Sequence, residues 1–226
     1  PIGVVTLGKG QKRLNCTATN IVPKKGQETA EAILNAATAL LQQHCLHTIS
    51  IRDIASKAGV NSALISYYYH GKEELYLAVV QKLFNAYKAE VVSKINLLLP
   101  LRESIRNTCT LLANFHKNNP CWLVLYFREL SNSSAAYESI IRPCMAEASM
   151  HLVAIFKKAQ EMGAIRQNIK PSFAALTMVS MINYCFMTMK AMRHDQQFNM
   201  ASALDEYVDH VVETLEGLTT PLAVNS

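Results

Sequence analysis

The chain of 226 residues is 50% apolar and 17% charged, which allows a sizeable core and excludes disorder as the main state. Its 8 glycines and 7 prolines are too few for an all-β fold with many turns and favour long helices. The net charge of +5 is uneven, because residues 1–27 carry five bases and no acid, whereas residues 195–226 carry six acids and no Lys or Arg. The basic N-terminal segment indicates a polyanionic partner. The alternative is that this segment is an arm surrounded by solvent, with no partner.

Six cysteines occur without a disulfide-like or CxxC spacing, which predicts reduced thiols in a cytoplasmic protein. His44-Cys45-Leu46-His47 could supply part of a metal site, but no second Cys/His cluster in the sequence completes the roughly four ligands that zinc needs. The opening residues lack a signal-peptide pattern, and no segment reaches the ~18 uninterrupted apolar residues of a membrane span. We therefore expect no metal, no cofactor and no membrane partner.

Residues 1–26 are polar and show no sustained periodicity, which predicts a basic N-terminal arm. From Glu28, apolar residues recur at spacings of three and four and predict a helix through about His44.

Two short helices are predicted next. Ser50 with Asp53 three positions later resembles a capping box, and Gly59 suits the left-handed end of the helix that Ser50 opens. After a tight turn, Asn61 can cap a helix that runs to about residue 68. Two short helices behind a longer one predict a helix-turn-helix unit.

The rest of the chain predicts further helices with short connections. A fourth helix opens at Gly71 and runs to roughly Lys94. Later helices are predicted at about 101–118, from Pro120 to Leu130, from Ser134 to Met162 with a kink at Pro143, at 171–192, and from Ala201 to Glu216 before Gly217. No strand or internal repeat is evident, so the chain is predicted to be all-α.

The helix that begins near Asn61 is predicted to enter the DNA major groove, as the second short helix of such a unit does. Ile65 and Tyr69 lie one turn apart and are expected to pack inward. The small residues Ser62 and Ala63 would let the backbone approach the base edges. Leu64 either touches thymine methyl groups or belongs to the core.

Three consecutive tyrosines, residues 67–69, follow in this helix. Tyr67 and Tyr68 can donate hydrogen bonds to a base edge or a phosphate, and Lys72 adds a positive charge at a helix N-terminus. The alternative is that all three tyrosines belong to a helical core. The residues predicted to contact DNA are Thr48, Ser50, Arg52, Asn61, Ser62, Ala63, Leu64, Ser66, Tyr67, Tyr68 and Lys72.

An ordered pattern runs through residues 29–77. Its members are Ala32-Ile33-Leu34, Ala36-Ala37, Ser50-Ile51-Arg52-Asp53-Ile54-Ala55, Ala58-Gly59-Val60, Tyr68-Tyr69 and Lys72-Glu73-Glu74-Leu75. This stretch resembles the DNA-binding domain of the TetR family of bacterial repressors. Cys45 stands where the family usually has glycine, Ser66 where it has tyrosine, and Tyr69 where it has phenylalanine. The change at Ser66 removes an expected phosphate contact, and the Tyr69 hydroxyl needs a partner or solvent.

The resemblance implies a homodimer of nine- or ten-helix subunits, with dimerisation and an effector pocket in the larger C-terminal domain. The implied domains are a basic arm (1–26), a helix-turn-helix DNA-binding domain (27–75), a helical effector-binding and dimerisation domain (76–218) and a tail (219–226). The chain is also similar, in two places, to a TetR subgroup whose recognition helix has the pattern N-x-A-x-I-x-Y-Y. The first place is formed by Asn61, Ala63, Ile65, Tyr67 and Tyr68. The second is the later stretch Arg128-Glu129-Leu130-Ser131, Ser134-Ala135-Ala136-Tyr137 and Pro143.

The last two long helices are predicted to form the dimer surface. One is apolar nearly all round (171–192), and the other carries a stripe of Leu204, Val208, Val211, Val212 and Leu215. Paired between subunits, they would make a four-helix bundle. The alternative is that they form the core of a single chain.

A ligand pocket is predicted from the methionines and aromatic residues of the C-terminal half. All nine methionines lie beyond residue 144, and flexible thioethers suit a pocket for apolar ligands, although such residues are more often core. The predicted pocket residues are Trp122, Tyr126, Phe127, Phe156, Met178, Met181 and Tyr184. Arg128 or Glu129 could orient a polar ligand group, or the two form a surface ion pair.

These features together predict a ligand-responsive transcriptional regulator. We expect a repressor that binds double-stranded DNA at a palindromic operator as a homodimer and is released by a small apolar or amphipathic effector. One alternative is a helical adaptor that binds protein partners and no DNA. No nucleophile-base-orienter set or phosphate loop is apparent, so we expect no catalytic residues and no enzyme.

Overall fold

The computed structural model describes residues 24–41, 49–132, 134–192 and 203–219. Most of the predicted basic arm, the predicted DNA contact at Thr48, the residues around Cys45 and most of the C-terminal tail lie outside these ranges. Within them every regular element is a helix, which confirms the predicted all-α fold. The elements are α1 (Lys24–Leu41), α2 (Ile51–Ala58), α3 (Ala63–Tyr69), α4 (Lys72–Glu90), a 3-10 turn (Val92–Lys94), α5 (Leu101–Asn118), α6 (Trp122–Asn132), a π-helical turn (Tyr137–Ile141), α7 (Arg142–Glu161), α8 (Pro171–Met192) and α9 (Leu204–Thr219).

The first four helices share one small core. α1 contacts α2, α3 and α4, and α3 also rests on α4. Ile33 of α1, Ile65 of α3 and Val79 of α4 are all 0% exposed, and burying such a side chain stabilises the fold by about 1.5–3 kcal/mol. With only 7 residues, α3 would not be a stable helix alone in water, so its position depends on this core.

α4 extends from this core into a second one that is built by the later helices. There α7 packs along α8, and α5 contacts both α8 and α9. Phe84 and Tyr87 of α4 join Phe115 and Trp122 in an aromatic cluster, in which the Tyr87 and Trp122 rings stack at 4.7 Å. Because α4 belongs to both cores, a shift of the later helices can reach the first three.

Two ion pairs join α5 to α9. Arg102 pairs with Glu216, and Arg106 pairs with Asp209. Two of the acidic residues near the C-terminus therefore have basic partners within the chain, which neutralise part of the acidic charge of this region.

Several helix bounds agree with the sequence pattern and others differ. α5 and α8 have the predicted bounds, whereas α1 begins at Lys24, ahead of the predicted start at Glu28. Pro143 lies in the first turn of α7, where its missing N–H is tolerated, directly after the π-helical turn. The predicted end before Gly217 is wrong: α9 continues to Thr219, because the buried Leu215 in the same turn holds the helix in place.

By length and composition alone, two helical segments, Tyr137–Glu161 and Pro171–Met189, could cross a membrane. Each has a face packed in the helical core, where Phe156, Met178 and Ile182 are 0% exposed. The core helix of a globular bundle meets the same criteria, so these segments are weak evidence for a membrane span.

Candidate nucleic-acid interface

Caps at both ends fix α2 and the turn that follows it. The Ser50 hydroxyl accepts a hydrogen bond from the Asp53 N–H at 3.1 Å, and the Asp53 carboxylate accepts one from the Ser50 N–H at 2.8 Å. This is the predicted capping box. Gly59 ends the helix with a φ of 68°, a left-handed conformation that glycine adopts without strain. The Ser50 hydroxyl also donates to Asp53 at 2.7 Å, so its predicted contact with DNA would compete with the cap.

The inner side of α3 is anchored to the rest of the domain. Ile65 is fully buried, and the Tyr69 hydroxyl donates a hydrogen bond to the Ala30 carbonyl oxygen of α1 at 2.8 Å. Burial, with a smaller contribution from the Glu31 charge, raises the pKa of Tyr69, so its hydroxyl stays protonated. The hydroxyl that departs from the TetR pattern therefore has a partner, and it ties α3 to α1.

The outer side of α3 is a continuous exposed surface, which we call the reading face. It consists of Ser62, Ala63, Ser66, Tyr67 and His70. Ser62, Ala63 and Ser66 are small, and His70 has a compact imidazole ring that can form hydrogen bonds. A DNA duplex could therefore approach this face closely. Tyr67 is 73% exposed and is the largest side chain on this face.

The sequence did not identify His70, which ends α3 in a left-handed conformation with a φ of 56°. It follows Tyr67 by three residues and Ser66 by four, the spacings that place residues on one side of a helix. That spacing is the signal that could have found it.

Three of the predicted DNA contacts have other roles in the structure. Leu64 and Tyr68 are half-buried and pack against the core, so of the two tyrosines predicted to face outward only Tyr67 does so fully. The Tyr68 ring meets the Tyr67 ring edge-on at a centroid distance of 4.9 Å. The Asn61 side-chain oxygen accepts a hydrogen bond from the Ala63 N–H at 2.9 Å, but the N-cap residue of α3 is Ser62, one position later than predicted.

The remaining predicted contacts flank the reading face. Arg52 is exposed on α2, and Lys72 is half-buried at the N-terminus of α4, where unpaired backbone N–H groups favour an anion. The Lys72 stem lines a cavity of about 10 Å³ together with residues of α1, α2 and α4. Gly71, which precedes it, has a φ of 138° that suits glycine alone.

A polar network joins α4 to α6. The Tyr76 hydroxyl donates a hydrogen bond to the Glu129 carboxylate at 2.5 Å, and the Arg128 Nε donates to the same oxygen at 3.1 Å. The Ser134 hydroxyl donates to the second carboxylate oxygen. The Arg128 guanidinium also donates to the Tyr76 oxygen and lies 5.0 Å from the centre of the Tyr76 ring.

Glu129 is 4% exposed, so the suggested surface ion pair with Arg128 is in fact largely internal. Burial alone would raise the pKa of its carboxyl, but hydrogen bonds from Ser134, Tyr76 and Arg128, with the charge of Arg128, hold that pKa below its ordinary value. The carboxylate is therefore charged and paired at neutral pH. It links the helix that follows the reading face to the C-terminal core.

The predicted dimer stripe on α9 lies inside the subunit. Val208, Val211, Val212 and Leu215 are at most 4% exposed, because they pack on α5 and α8 of the same chain, and Leu204 packs partly against the same core. The prediction that these residues meet a second subunit is wrong. A different surface, which we call the α8 stripe, is exposed on α8 and mostly apolar: Phe173, Leu176, Thr177, Ser180, Tyr184 and Met187.

The predicted pocket residues do not line a common cavity. Trp122, Phe156 and Met178 are closely packed in the core, whereas Tyr184 is 68% exposed on the α8 stripe. Tyr126 stacks on Trp122 at 5.3 Å and Phe127 lies beside Tyr126, while Met181 is half-buried. A groove of about 270 Å³ is lined instead by residues 97–101 with Ile155, Lys158 and Met162 among others. The effector pocket stays a prediction. Among the described residues, no group of three or more His, Cys, Asp and Glu side chains could hold a metal ion.

Comparison with known proteins gives a family match for residues 33–79 and a fold for most of the chain. The sequence model of the family described as "Bacterial regulatory proteins, tetR family" matches residues 33–79, which extend from α1 into α4. No curated protein matches the chain. HlyIIR, a hemolysin II transcriptional regulator, is 22% identical with a TM-score of 0.60 over 87% of this chain and 99% of its own.

Two further solved structures are similar over most of their length. AibR in complex with isovaleryl coenzyme A and operator DNA is 15% identical with a TM-score of 0.66, covering 85% of this chain and 98% of AibR. The fatty acid degradation regulator FadR from Bacillus halodurans is 17% identical with a TM-score of 0.66, covering 84% of this chain and 95% of FadR. At these identities the likeness shows a shared fold.

Proposed function

We propose that this chain, whose residues 33–79 belong to the tetR family of bacterial regulatory proteins, is a ligand-responsive transcriptional regulator. It acts in the cytoplasm as a repressor that binds a palindromic operator as a homodimer and leaves it when a small molecule binds. The observation that carries the proposal is the reading face, an exposed surface on a helix that Ile65 and Tyr69 anchor from behind. Such a helix can enter a major groove without exposing its core.

Selection of bound duplexes from a random pool tests the proposal directly. Two copies of the reading face on a symmetric dimer should select an inverted repeat whose half-sites lie about 34–36 Å apart, one turn of DNA. Affinity should fall steeply as salt is added, because counterions are released from contacted phosphates. A protein-binding adaptor would select no duplex.

The side chains predicted to contact DNA are expected to divide into two groups. Changes at Ser62 or Ala63, which are exposed at the start of α3, should alter which sequence is selected. Lys72→Ala and Tyr68→Phe should weaken binding to all sequences alike, since we expect these two groups to contact phosphates. Uniform effects at all four positions in a gel-shift series would contradict this division. We also propose that the chain belongs to the TetR subgroup with the N-x-A-x-I-x-Y-Y pattern. The duplex sequence that the protein selects from the random pool tests this assignment.

The α8 stripe supports the homodimer. Its apolar side chains lie on the face of α8 that points away from the chain's own core, and Leu176 is 64% exposed. Paired helices α8 and α9 from two subunits would cover this surface in a four-helix bundle. Leu176→Glu should produce a monomer in light scattering, whereas Met150→Glu on α7, where the methionine is 67% exposed, should leave the dimer intact. A dimer that survives Leu176→Glu would argue against this interface.

Release of DNA is proposed to depend on α4. Two residues separate this helix from the end of α3, and it continues into the C-terminal core, where the Tyr76–Glu129 hydrogen bond joins it to α6. A ligand that binds better to a form with α6 displaced would shift the population toward subunits whose reading faces have the wrong separation.

A further inference from the structure

Two buried polar atoms in the aromatic cluster have no hydrogen-bond partner among the described residues. They are Nε1 of the Trp122 indole and Nδ1 of the His116 imidazole. Both side chains are 2% exposed, and their ring centroids lie 5.5 Å apart. Buried polar groups are nearly always paired in folded proteins, so two unpaired atoms on neighbouring rings call for a partner.

The two atoms have opposite hydrogen-bonding roles. His116 Nε2 lies 2.9 Å from Oδ1 of Asn183, an oxygen that can only accept, so Nε2 carries the proton and Nδ1 is an acceptor. Burial lowers the pKa of His116 to about 4, opposed in part by the bond to Asn183, so the ring is neutral at pH 7. The indole Nε1 of Trp122 is a donor only. The pair therefore offers one donor and one acceptor and no charge.

The surroundings of the pair are aromatic. Tyr87 and Tyr126 both stack on Trp122, at 4.7 and 5.3 Å, and Phe186 lies 5.2 Å from His116. Tyr126 is half-buried and stands beside Phe127, which is partly exposed, so this side of the cluster is the nearest to solvent. A flat ligand ring could replace Tyr126 against Trp122 and keep the stacking.

We propose that Trp122 and His116 recognise the effector, and that the effector is a neutral aromatic molecule bearing a hydroxyl group. The ligand oxygen accepts the Trp122 N–H, and the ligand O–H donates to His116 Nδ1. A carboxylate could accept from Trp122, but it has no hydrogen to give to Nδ1. This inference rests on the proposed function, in that it assigns the chemistry of the ligand to which the regulator responds.

The position of Tyr126 connects this site to the DNA-binding helices. Tyr126 lies on α6, two residues before Arg128 in the sequence, and Arg128 and Glu129 hold Tyr76 of α4. A ligand that displaces the Tyr126 ring would move the same turns of α6 that carry the polar network.

Trp122 is the only tryptophan of the chain, so its fluorescence and its single indole N–H resonance report on this site alone. The probes are benzyl alcohol, toluene and benzoate, which share a ring and differ in the polar group. Benzyl alcohol should cause a saturable change in fluorescence and bind about tenfold more tightly than either of the others, as expected for two added hydrogen bonds. It should also shift the indole N–H resonance of the ¹⁵N-labelled protein farther than toluene does at saturation.

His116→Phe keeps a ring in the cluster and removes the acceptor, so it should abolish the preference for benzyl alcohol over toluene. His210→Phe is the matched control, since His210 is exposed on α9 and should leave the preference unchanged. Equal binding of benzyl alcohol and toluene, a preference for benzoate, or an unmoved indole N–H resonance would each overturn the proposal. The resonance test needs only the unaltered protein, so it stays decisive even if a variant folds poorly.

The duplex selection, run on the same protein, separates the two proposals. A protein that selects an inverted repeat but ignores benzyl alcohol keeps the regulatory function and loses this ligand chemistry. A protein that prefers benzyl alcohol but binds no duplex keeps the site and loses the regulatory function.

Discussion

Replacement of Glu129 by glutamine is a sharp perturbation of the contact between α4 and α6. The carboxylate is 4% exposed and accepts hydrogen bonds from Tyr76, Arg128 and Ser134. Glutamine keeps the volume but removes the charge, and it turns one acceptor oxygen into an NH2 donor. The Ser134 hydroxyl can turn to accept from that amide, but the ion pair with Arg128 is lost.

The cost can be worked from these contacts. Breaking a buried ion pair costs about 3–5 kcal/mol when the remaining charge stays buried. The Arg128 side chain is 32% exposed, so water recovers part of its solvation, and we expect a loss of about 2–4 kcal/mol in the free energy of unfolding. Because the folded pKa of Glu129 lies below its ordinary value, this stabilisation is present at neutral pH and is lost as the pH falls through the folded pKa.

Urea unfolding at pH 7 measures the effect, and the chain offers a matched control. Glu147 pairs with Lys88 of α4 at 2.7 Å, but those side chains are 34% and 55% exposed. Glu147→Gln should therefore cost less than about 1 kcal/mol. In a double-mutant cycle, Tyr76→Phe and Glu129→Gln should be coupled by about 1 kcal/mol or more. Equal costs for the two glutamate variants, or additive effects in the cycle, would refute the role given to this network.

Three further predictions concern single residues. Gly59→Ala should lower the free energy of unfolding by about 1–2 kcal/mol, because its added Cβ meets no atom within 4 Å but the φ of 68° is strained for alanine; Gly59→Asn should cost less. Tyr69→Phe removes the hydrogen bond to Ala30 and should cost about 0.5–1.5 kcal/mol in the same urea assay, and an unchanged midpoint would count against that bond. The pKa of His116 falls from 6.5 to about 4 on folding, so the unfolded chain takes up its proton first as the pH drops. Stability should fall by roughly 2 kcal/mol between pH 7 and 4.5 through this group, and His116→Gln should remove that part of the slope.

Local patterns in the sequence were enough to predict most of the helices and the buried side of α3. The capping box at Ser50, the left-handed Gly59 and the inward Ile65 each depend on neighbours within a few residues, and each is found as predicted. The start of α1 at Lys24 was missed because the first turn has no apolar period to mark it.

The interfaces could not be predicted in the same way. The spacing of Val208, Val211 and Leu215 shows that one side of α9 is covered, but it does not show whether the cover is the same chain or a second one. Tyr76 and Glu129 are far apart in the sequence, and no local pattern tells which turn of α4 meets which turn of α6. The aromatic residues were correctly placed on helices, but the rotation of each helix about its axis decides that Trp122 is buried and Tyr184 exposed.

The location of the polar network on α4 bears on how a ligand could act at the DNA. Lys72 opens α4 and Tyr76 follows four residues later, so about 6 Å of helix separates them at a rise of 1.5 Å per residue. His70 and Gly71 alone connect α3 to α4, and both have left-handed or glycine-specific backbone conformations. The other end of α4 is held by the stack of Tyr87 on Trp122. A shift of α6 that pulls on Tyr76 would therefore act on the end of α4 nearest α3. It would reach the reading face through a connection of two residues, and in the proposed homodimer we expect a small displacement of α6 to change the separation of the two reading faces.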